Sequence, residues 1–165
     1  MGASILRFVA AGLLGLAATQ AAQATPIVDQ SNLGTPIGPF ATVYSAETVG
    51  QTFTVGITGQ LTSVGVEADK RGTPTVNLTL QIEGVSGGVA NGTVLASTSL
   101  AEASVNSGAL SFFDISSANL SVTNGEVLAF VLSSLNSLGD DNTIPALPSA
   151  PYPAGQYLIN NVVSC

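Results

Sequence analysis

The sequence predicts an all-β domain, an antiparallel β-sandwich of jelly-roll type with about eight short strands. Three observations predict it. Short runs alternate apolar with polar side chains, a pattern that puts one strand face in a core and the other in water. Glycine, proline and Asn-Gly punctuation separates these runs at turn spacing. No stretch after residue 24 carries a sustained 3.6-residue apolar period with caps, so little helix is expected.

The elements follow in chain order. Arg7, the apolar run Phe8–Ala18 and the small-x-small pattern Ala22-Gln23-Ala24 predict a signal peptide over residues 1–24. The apolar run is shorter than the roughly 20 residues of a membrane span. No membrane-spanning segment is therefore expected after cleavage, and the remaining chain of about 140 residues can bury one core. Residues 25–40 hold Pro26, Pro36, Pro39, Gly34 and Gly38 and read as an extended N-terminal arm; the sandwich is assigned to 41–165.

Ala41–Ser45 is a weak first strand, and Gln51–Val55 a second with Phe53 and Val55 on one side. Leu61–Asp69 places Val64, Val66 and Ala68 on one face with Leu61 out of phase, which predicts a bulge near Thr62-Ser63 or a later strand start. The clearest strand is Thr75–Glu83, with Val76, Leu78, Leu80 and Ile82 inward and Asn77, Thr79, Gln81 and Glu83 in water. A loop over Gly84–Gly92 precedes Thr93–Leu100. Gly108–Ile115 sets Leu110 and Phe112 against Phe113 and Ile115.

Asn124-Gly125 between apolar runs predicts a two-residue type I′ hairpin pairing Val122 with Val127, because both central positions need positive φ. Val127–Leu132 is apolar on both faces and so is expected at the centre of a covered sheet. Ser137–Gly155 reads as a long Pro-rich connection, and Gln156–Val163 as a last strand.

Composition excludes several function classes. Ten acidic residues face three basic ones, and only Lys70 and Arg71 are basic beyond Arg7; nucleic acid is not an expected partner. With no histidine, Ser-His-Asp and Cys-His catalysis is absent, as are nearly all zinc and iron sites. The one cysteine, Cys165, precludes an intrachain disulfide but could couple two chains. There is no tryptophan to stack on sugars.

Four residues are candidates for ligand binding. Asn77, Thr79 and Gln81 form a ladder of hydrogen-bonding side chains that could read sugar hydroxyls, although a plain solvated sheet face shows the same pattern. Tyr152, between Pro151 and Pro153, could stack on a ring or pin its own loop. Asp140, Asp141 and Asn142 cluster oxygen ligands, so a structural Ca²⁺ is the one ion to consider, but their spacing is not the alternating D-x-D-x-D-G pattern. No other cofactor is expected. Glycosidase chemistry needs two carboxylates across a cleft. Glu67 and Asp69 sit side by side on one strand face, which leaves cross-strand pairs such as Glu83 with Asp114. No enzymatic activity is expected from this set. Asn77, Asn91 and Asn119 each open an N-x-S/T sequon, relevant only in a eukaryotic secretory pathway.

The succession Gln51-Thr52-Phe53-Thr54-Val55, then Leu61-Thr62-Ser63-Val64, the strand Val76–Ile82 and Gly92-Thr93-Val94-Leu95-Ala96-Ser97 resembles the jelly-roll domains of bacterial exported proteins of the PEP-CTERM and choice-of-anchor type. Leu120–Leu132 with Gly125 is similar to a later strand of that family, and Tyr152–Tyr157 to the Gly- and Tyr-containing stretch after it. The resemblance covers about residues 51–157. It implies a secreted, extracellular or cell-surface protein of a bacterium with a matrix role, and it carries over no catalytic residue. That family commonly continues into an aromatic strand and a hydrophobic sorting tail with a basic end; neither pattern occurs within this sequence. The resulting expectation is a non-enzymatic module of the matrix or cell surface whose partner is a glycan or matrix polymer. The alternatives are a self-associating structural subunit, using the arm on a neighbour's sheet edge, and a hydrolase on the same scaffold.

Overall fold

In the computed structural model, residues 27–29, 40–145 and 155–163 are described. The predicted signal peptide, Tyr152 and Cys165 lie outside these residues, as does most of the arm. Among the described residues twelve strands are formed: β1 (Phe40–Val43), β2 (Val49–Thr54), β3 (Gly59–Gln60), β4 (Ser63–Arg71), β5 (Leu78–Ser86), β6 (Val89–Leu100), β7 (Ala109–Asp114), β8 (Ser121–Val122), β9 (Val127–Ser133), β10 (Asp141–Pro145), β11 (Tyr157–Ile159) and β12 (Val162–Val163). Four of these are only two or three residues long. The only helical pieces among the described residues are two short 3-10 turns, Glu102–Ser104 and Ser116–Ala118.

Every strand pair is antiparallel, and two main sheets are built: β1-β10-β4-β7 and β12-β11-β2-β9-β5-β6, with β3-β8 as a small ribbon. One core joins the inward faces of both. Val43, Val66, Ala68, Phe113 and Ile144 from the first sheet meet Val49, Leu78, Leu80, Ile82, Leu128 and Leu132 from the second. The fold is thus the all-β, sandwich-like antiparallel architecture that the alternation predicts. A fully buried Leu or Ile contributes about 1.5–3 kcal/mol, so Leu78, Leu80 and Ile82, all at 0 % exposure, anchor β5.

β9 lies at the centre of its sheet between β2 and β5, as its two apolar faces require. Leu128 and Leu132 point into the main core, while Ala129 and Val131 join Leu158 and Ala90 in a second cluster on the other face. On β4 the strand begins late, at Ser63, which accounts for Leu61 being out of phase.

The structure corrects several expectations. β5 starts at Leu78, not Thr75, and Val76 is 38 % exposed instead of buried. β6 carries a bulge opposite the other end of that strand: Ile82 pairs with Ala96 but Glu83 with Val94, so one extra β6 residue is inserted. Glu83 keeps the outward parity but pairs with Ala129 of the second buried cluster, so it is not in water but 3 % exposed, and its Oε2 accepts the Gly92 N–H at 2.9 Å. The segment assigned as a loop before Thr93 instead extends β5 and β6 into a hairpin closed at Gly87-Gly88, both with positive φ.

Asn124-Gly125 does turn the chain, but not as a type I′ hairpin. Only Gly125 has positive φ, and β8 pairs with β3 while β9 pairs with β2 and β5. Gly125 N–H and Glu126 C=O bond instead to the backbone of Val55. The two-residue turn with two positive φ values falls at Asn160-Asn161, which splits the expected last strand into β11 and β12. The long connection after Ser137 also contains a strand, β10, held between β1 and β4.

Candidate functional site

The candidate site is an open cleft of about 410 Å³ where three chain segments converge: Lys70, then Pro74, Thr75 and Asn77, then Ala101–Ala103. Lys70 is an inward position of β4, in phase with Val66 and Ala68, but it sits at the end of the sheet where the core gives out. Lys70 is half-buried and lines the opening. Ala101–Ala103 follow β6 and enter the 3-10 turn, whose Ser104 N–H donates to Ala101 C=O at 2.8 Å.

The middle wall is held by a side chain. Asn136, 4 % exposed, accepts the N–H groups of Thr75 and Val76 on Oδ1 at 3.1 and 2.9 Å and donates through Nδ2 to Val76 C=O at 3.0 Å. The amide thus bonds Val76 as a neighbouring strand would, replacing the sheet partner this segment lacks. Nδ2 also donates to Ser134 Oγ at 3.0 Å, which fixes the plane of the amide. Thr75 and Asn77 are presented to the opening by this clamp.

Behind the lining is a buried polar couple. Glu102 is 6 % exposed, and its Oε1 accepts Asn142 Nδ2 at 3.0 Å; Asn142, on β10, is fully buried and points inward beside Val43. Glu102 Oε2 and Asn142 Oδ1 have no donor among the described residues. Lys70 is in no ion pair among those residues; the pair that does form is its neighbour Arg71 with buried Asp141, at 2.5 Å. That hydrogen bond raises the Arg71 pKa.

The sequence-predicted residues are distributed as follows. Asn77 lines the cleft. Thr79 and Gln81 do not; they lie on the face of the six-stranded sheet turned away from the main core. Thr79 Oγ1 is engaged with Ser99 Oγ at 2.9 Å, and Gln81 is half-buried between Ser97 and Val131 in register. Asp140, Asp141 and Asn142 send their side chains to three different partners: Thr73 N–H, Arg71 with Gly139 N–H, and Glu102. No group of three or more His, Cys, Asp or Glu side chains among the described residues is placed to hold a metal ion. Glu83 and Asp114 belong to different sheets; Asp114 accepts Ser116 N–H at 2.9 Å, and the Ser116 side chain first and this backbone bond second lower its pKa. No described helix is long and apolar enough to cross a membrane.

Sequence reasoning missed Glu102, Asn142 as a partner of Glu102, and Asn136. It also left open which side of β7 is exposed. Phe112 is 63 % exposed with its ring over Gly65, where a Cβ would come within 2.9 Å of the ring. No protein-family model matches the chain, and no curated protein is significantly similar to it.

Proposed function

We propose that this chain is an exported, non-enzymatic β-sandwich module of the cell surface or extracellular matrix and that it binds a glycan through the Lys70–Asn77–Glu102 cleft. The observation that carries the reading is the make-up of the lining. One ammonium, one carboxylate, one amide and one hydroxyl surround the apolar surfaces of Pro74, Ala101 and Ala103. Sugar hydroxyls donate and accept at once, so a mixed donor and acceptor set over small apolar patches suits them. A single lining carboxylate suits binding; hydrolysis of a glycosidic bond requires two. Export rests on the residue 1–24 pattern and on the resemblance to bacterial exported jelly-roll domains.

A glycan array probed with residues 25–165 tests this. Hits are expected, and they should disappear in Asn77→Ala but persist in Gln81→Ala, whose side chain lies on the other face. The absence of any hit at millimolar soluble glycan would overturn the reading. Hits lost in Gln81→Ala or Tyr152→Ala but kept in Asn77→Ala would move the site away from the cleft.

A further inference from the structure

Asn142 and Glu102 share their end of the sheet with a third reactive side chain. Lys70 and Asn142 stand directly opposite one another in the antiparallel β4–β10 pair. Both are inward positions, Lys70 in phase with Val66 and Ala68, and Asn142 in phase with Ile144. Opposed residues on one face have Cβ atoms about 4.5–5.5 Å apart, a gap that the flexible four-carbon stem of lysine covers. Glu102 makes the group a triad: its Oε1 accepts Asn142 Nδ2 at 3.0 Å, and it lines one cleft with Lys70.

The triad is short of donors. Glu102 Oε2 and Asn142 Oδ1 are buried, and no described residue donates to either. Buried acceptors are nearly always satisfied, and a buried carboxylate calls for positive charge. Both oxygens are closed to solvent, so the donor has to come from the chain. On one side of Asn142 stands Val43, which has no side-chain donor; on the other stands Lys70, in no ion pair among the described residues. Arg71, next along β4, has the opposite parity and is held by Asp141.

We propose that Lys70 and Asn142 join in an intramolecular amide bond, formed by the chain itself with Glu102 carrying the protons. Beside Glu102, the Lys70 ammonium gives a proton to Oε2, since that transfer removes both charges from a dry setting. The neutral amine then attacks Asn142 Cγ. The Nζ–Cγ bond forms and the Cγ–Nδ2 bond breaks. Glu102 gives its proton to Nδ2, which already lies against its other oxygen, and takes one from the attacking nitrogen. Nδ2 leaves as ammonia and the last proton follows it to solvent, so one ammonium ion is released for the one consumed. No oxidant, cofactor or second substrate is required.

The bond has a place in the architecture. β10 alone links β1 to β4 in its sheet, and its pairing with β4 covers only Asp141–Thr143. An amide at Asn142 staples the middle of that short pair, which a chain with one cysteine cannot do by disulfide. The bond does not rest on the glycan reading. It turns the ammonium of the cleft lining into an amide and leaves Thr75, Asn77 and the apolar surfaces in place.

The intact mass of denatured residues 25–165 tests the proposal. The expected value is about 17 Da below that of the sequence, one ammonia lost. Lys70→Arg, a conservative change at a half-buried position, should show the full mass, as should Glu102→Gln. Trypsin gives a second reading, because Lys70 and Arg71 are the only basic residues after Arg7. Digestion of the denatured bonded chain cuts at Arg71 and leaves 25–71 joined to 72–165, whereas Lys70→Arg falls into separate pieces. Lys70→Arg should also melt roughly 8–15 °C lower, having lost a cross-link around the loop between residues 70 and 142. If Glu102→Gln does not fold, the wild-type mass and Lys70→Arg still decide. A wild-type mass equal to the sequence value would overturn the proposal. So would a deficit that persists in Lys70→Arg, which would assign the lost ammonia to ring closure at Asn91-Gly92 or Asn124-Gly125. A deficit that persists in folded Glu102→Gln would overturn the part given to Glu102.

Discussion

Replacing Asn136 by alanine removes the side chain that stands in for a strand. The amide makes four hydrogen bonds: two from Thr75 and Val76 N–H, one to Val76 C=O and one to Ser134 Oγ. A net bond contributes about 1 kcal/mol, and more when its loss leaves a buried group unpaired. Thr75 and Val76 are exposed enough for water to replace their lost partners, whereas Ser134, at 6 % exposure, is left with only the Asn136 backbone N–H at 3.2 Å. The expected loss is therefore about 2–3 kcal/mol, and with about 3–4 °C per kcal/mol for a domain of this size, Tm falls by roughly 6–12 °C. Asn136→Asp separates acceptor from donor. It keeps the Oδ1 contacts to Thr75 and Val76 N–H but turns the donor facing Val76 C=O into an acceptor. It should be as destabilising as alanine at pH 7 and recover in part below about pH 4, where protonation restores an O–H. Thermal melts give the magnitude, and amide hydrogen exchange gives the location: Thr75 and Val76 should lose protection in Asn136→Ala and keep it in Asn136→Asp. A loss under about 0.5 kcal/mol, or unchanged exchange at these two amides in Asn136→Ala, would refute the clamp.

Two further changes test the sheet interior and the alkaline limit. A Cβ on Gly50 would lie 2.5 Å from the backbone oxygen of Phe130 across the β2–β9 pair, so Gly50→Ala should cost about 2–4 kcal/mol in denaturant melts, while Gly59→Ala, with open space around it, should stay within about 0.5. Equal effects at the two glycines would show that β2 and β9 are not so closely paired. The Tyr157 phenol is pushed up to about 12 by burial and, secondarily, by Glu47. Because the unfolded phenol ionises near pH 10 first, this group's contribution is complete below pH 10 and is lost as pH rises from 10 to 12. After allowance for partial exposure and screening, that is about 1–2 kcal/mol. Tyr157→Phe should lack this component of alkaline destabilisation, and a parallel pH profile for wild type and variant would contradict it.

Where residue pattern and tertiary role coincide, the chain can be read directly. Leu78, Leu80 and Ile82 alternate without interruption and are all buried; β9 is apolar on both sides and lies between two partners. β10 escapes notice because its inward residue Asn142 is polar and is satisfied by Glu102, a residue 40 positions away, so alternation cannot reveal it. Asn124-Gly125 has the local chemistry of a hairpin, but Val55 offers its backbone to Gly125 and Glu126, and the two flanking strands go to different neighbours. The cleft was legible only at Asn77. Lys70, Glu102 and Asn142 come from β4, the turn after β6 and β10, and no short-range signal connects them. Asn136 carries no signature either, since one asparagine among serines gives no hint of the backbone it will bond.

The strand order has a consequence for the timing of folding. β2 and β5 are joined only through β9, and β1 and β4 only through β10. A chain emerging from its N-terminus can form the local β5–β6 hairpin and the β4–β7 pair. The six-stranded sheet cannot join β2 to β5, however, until β9 has been delivered through Ser133, nor the four-stranded sheet join β1 to β4 until β10 has been delivered through Pro145. Non-local pairings of this kind are slow to form. The sandwich therefore assembles late relative to its own N-terminal strands, which wait for partners supplied by β9 and β10.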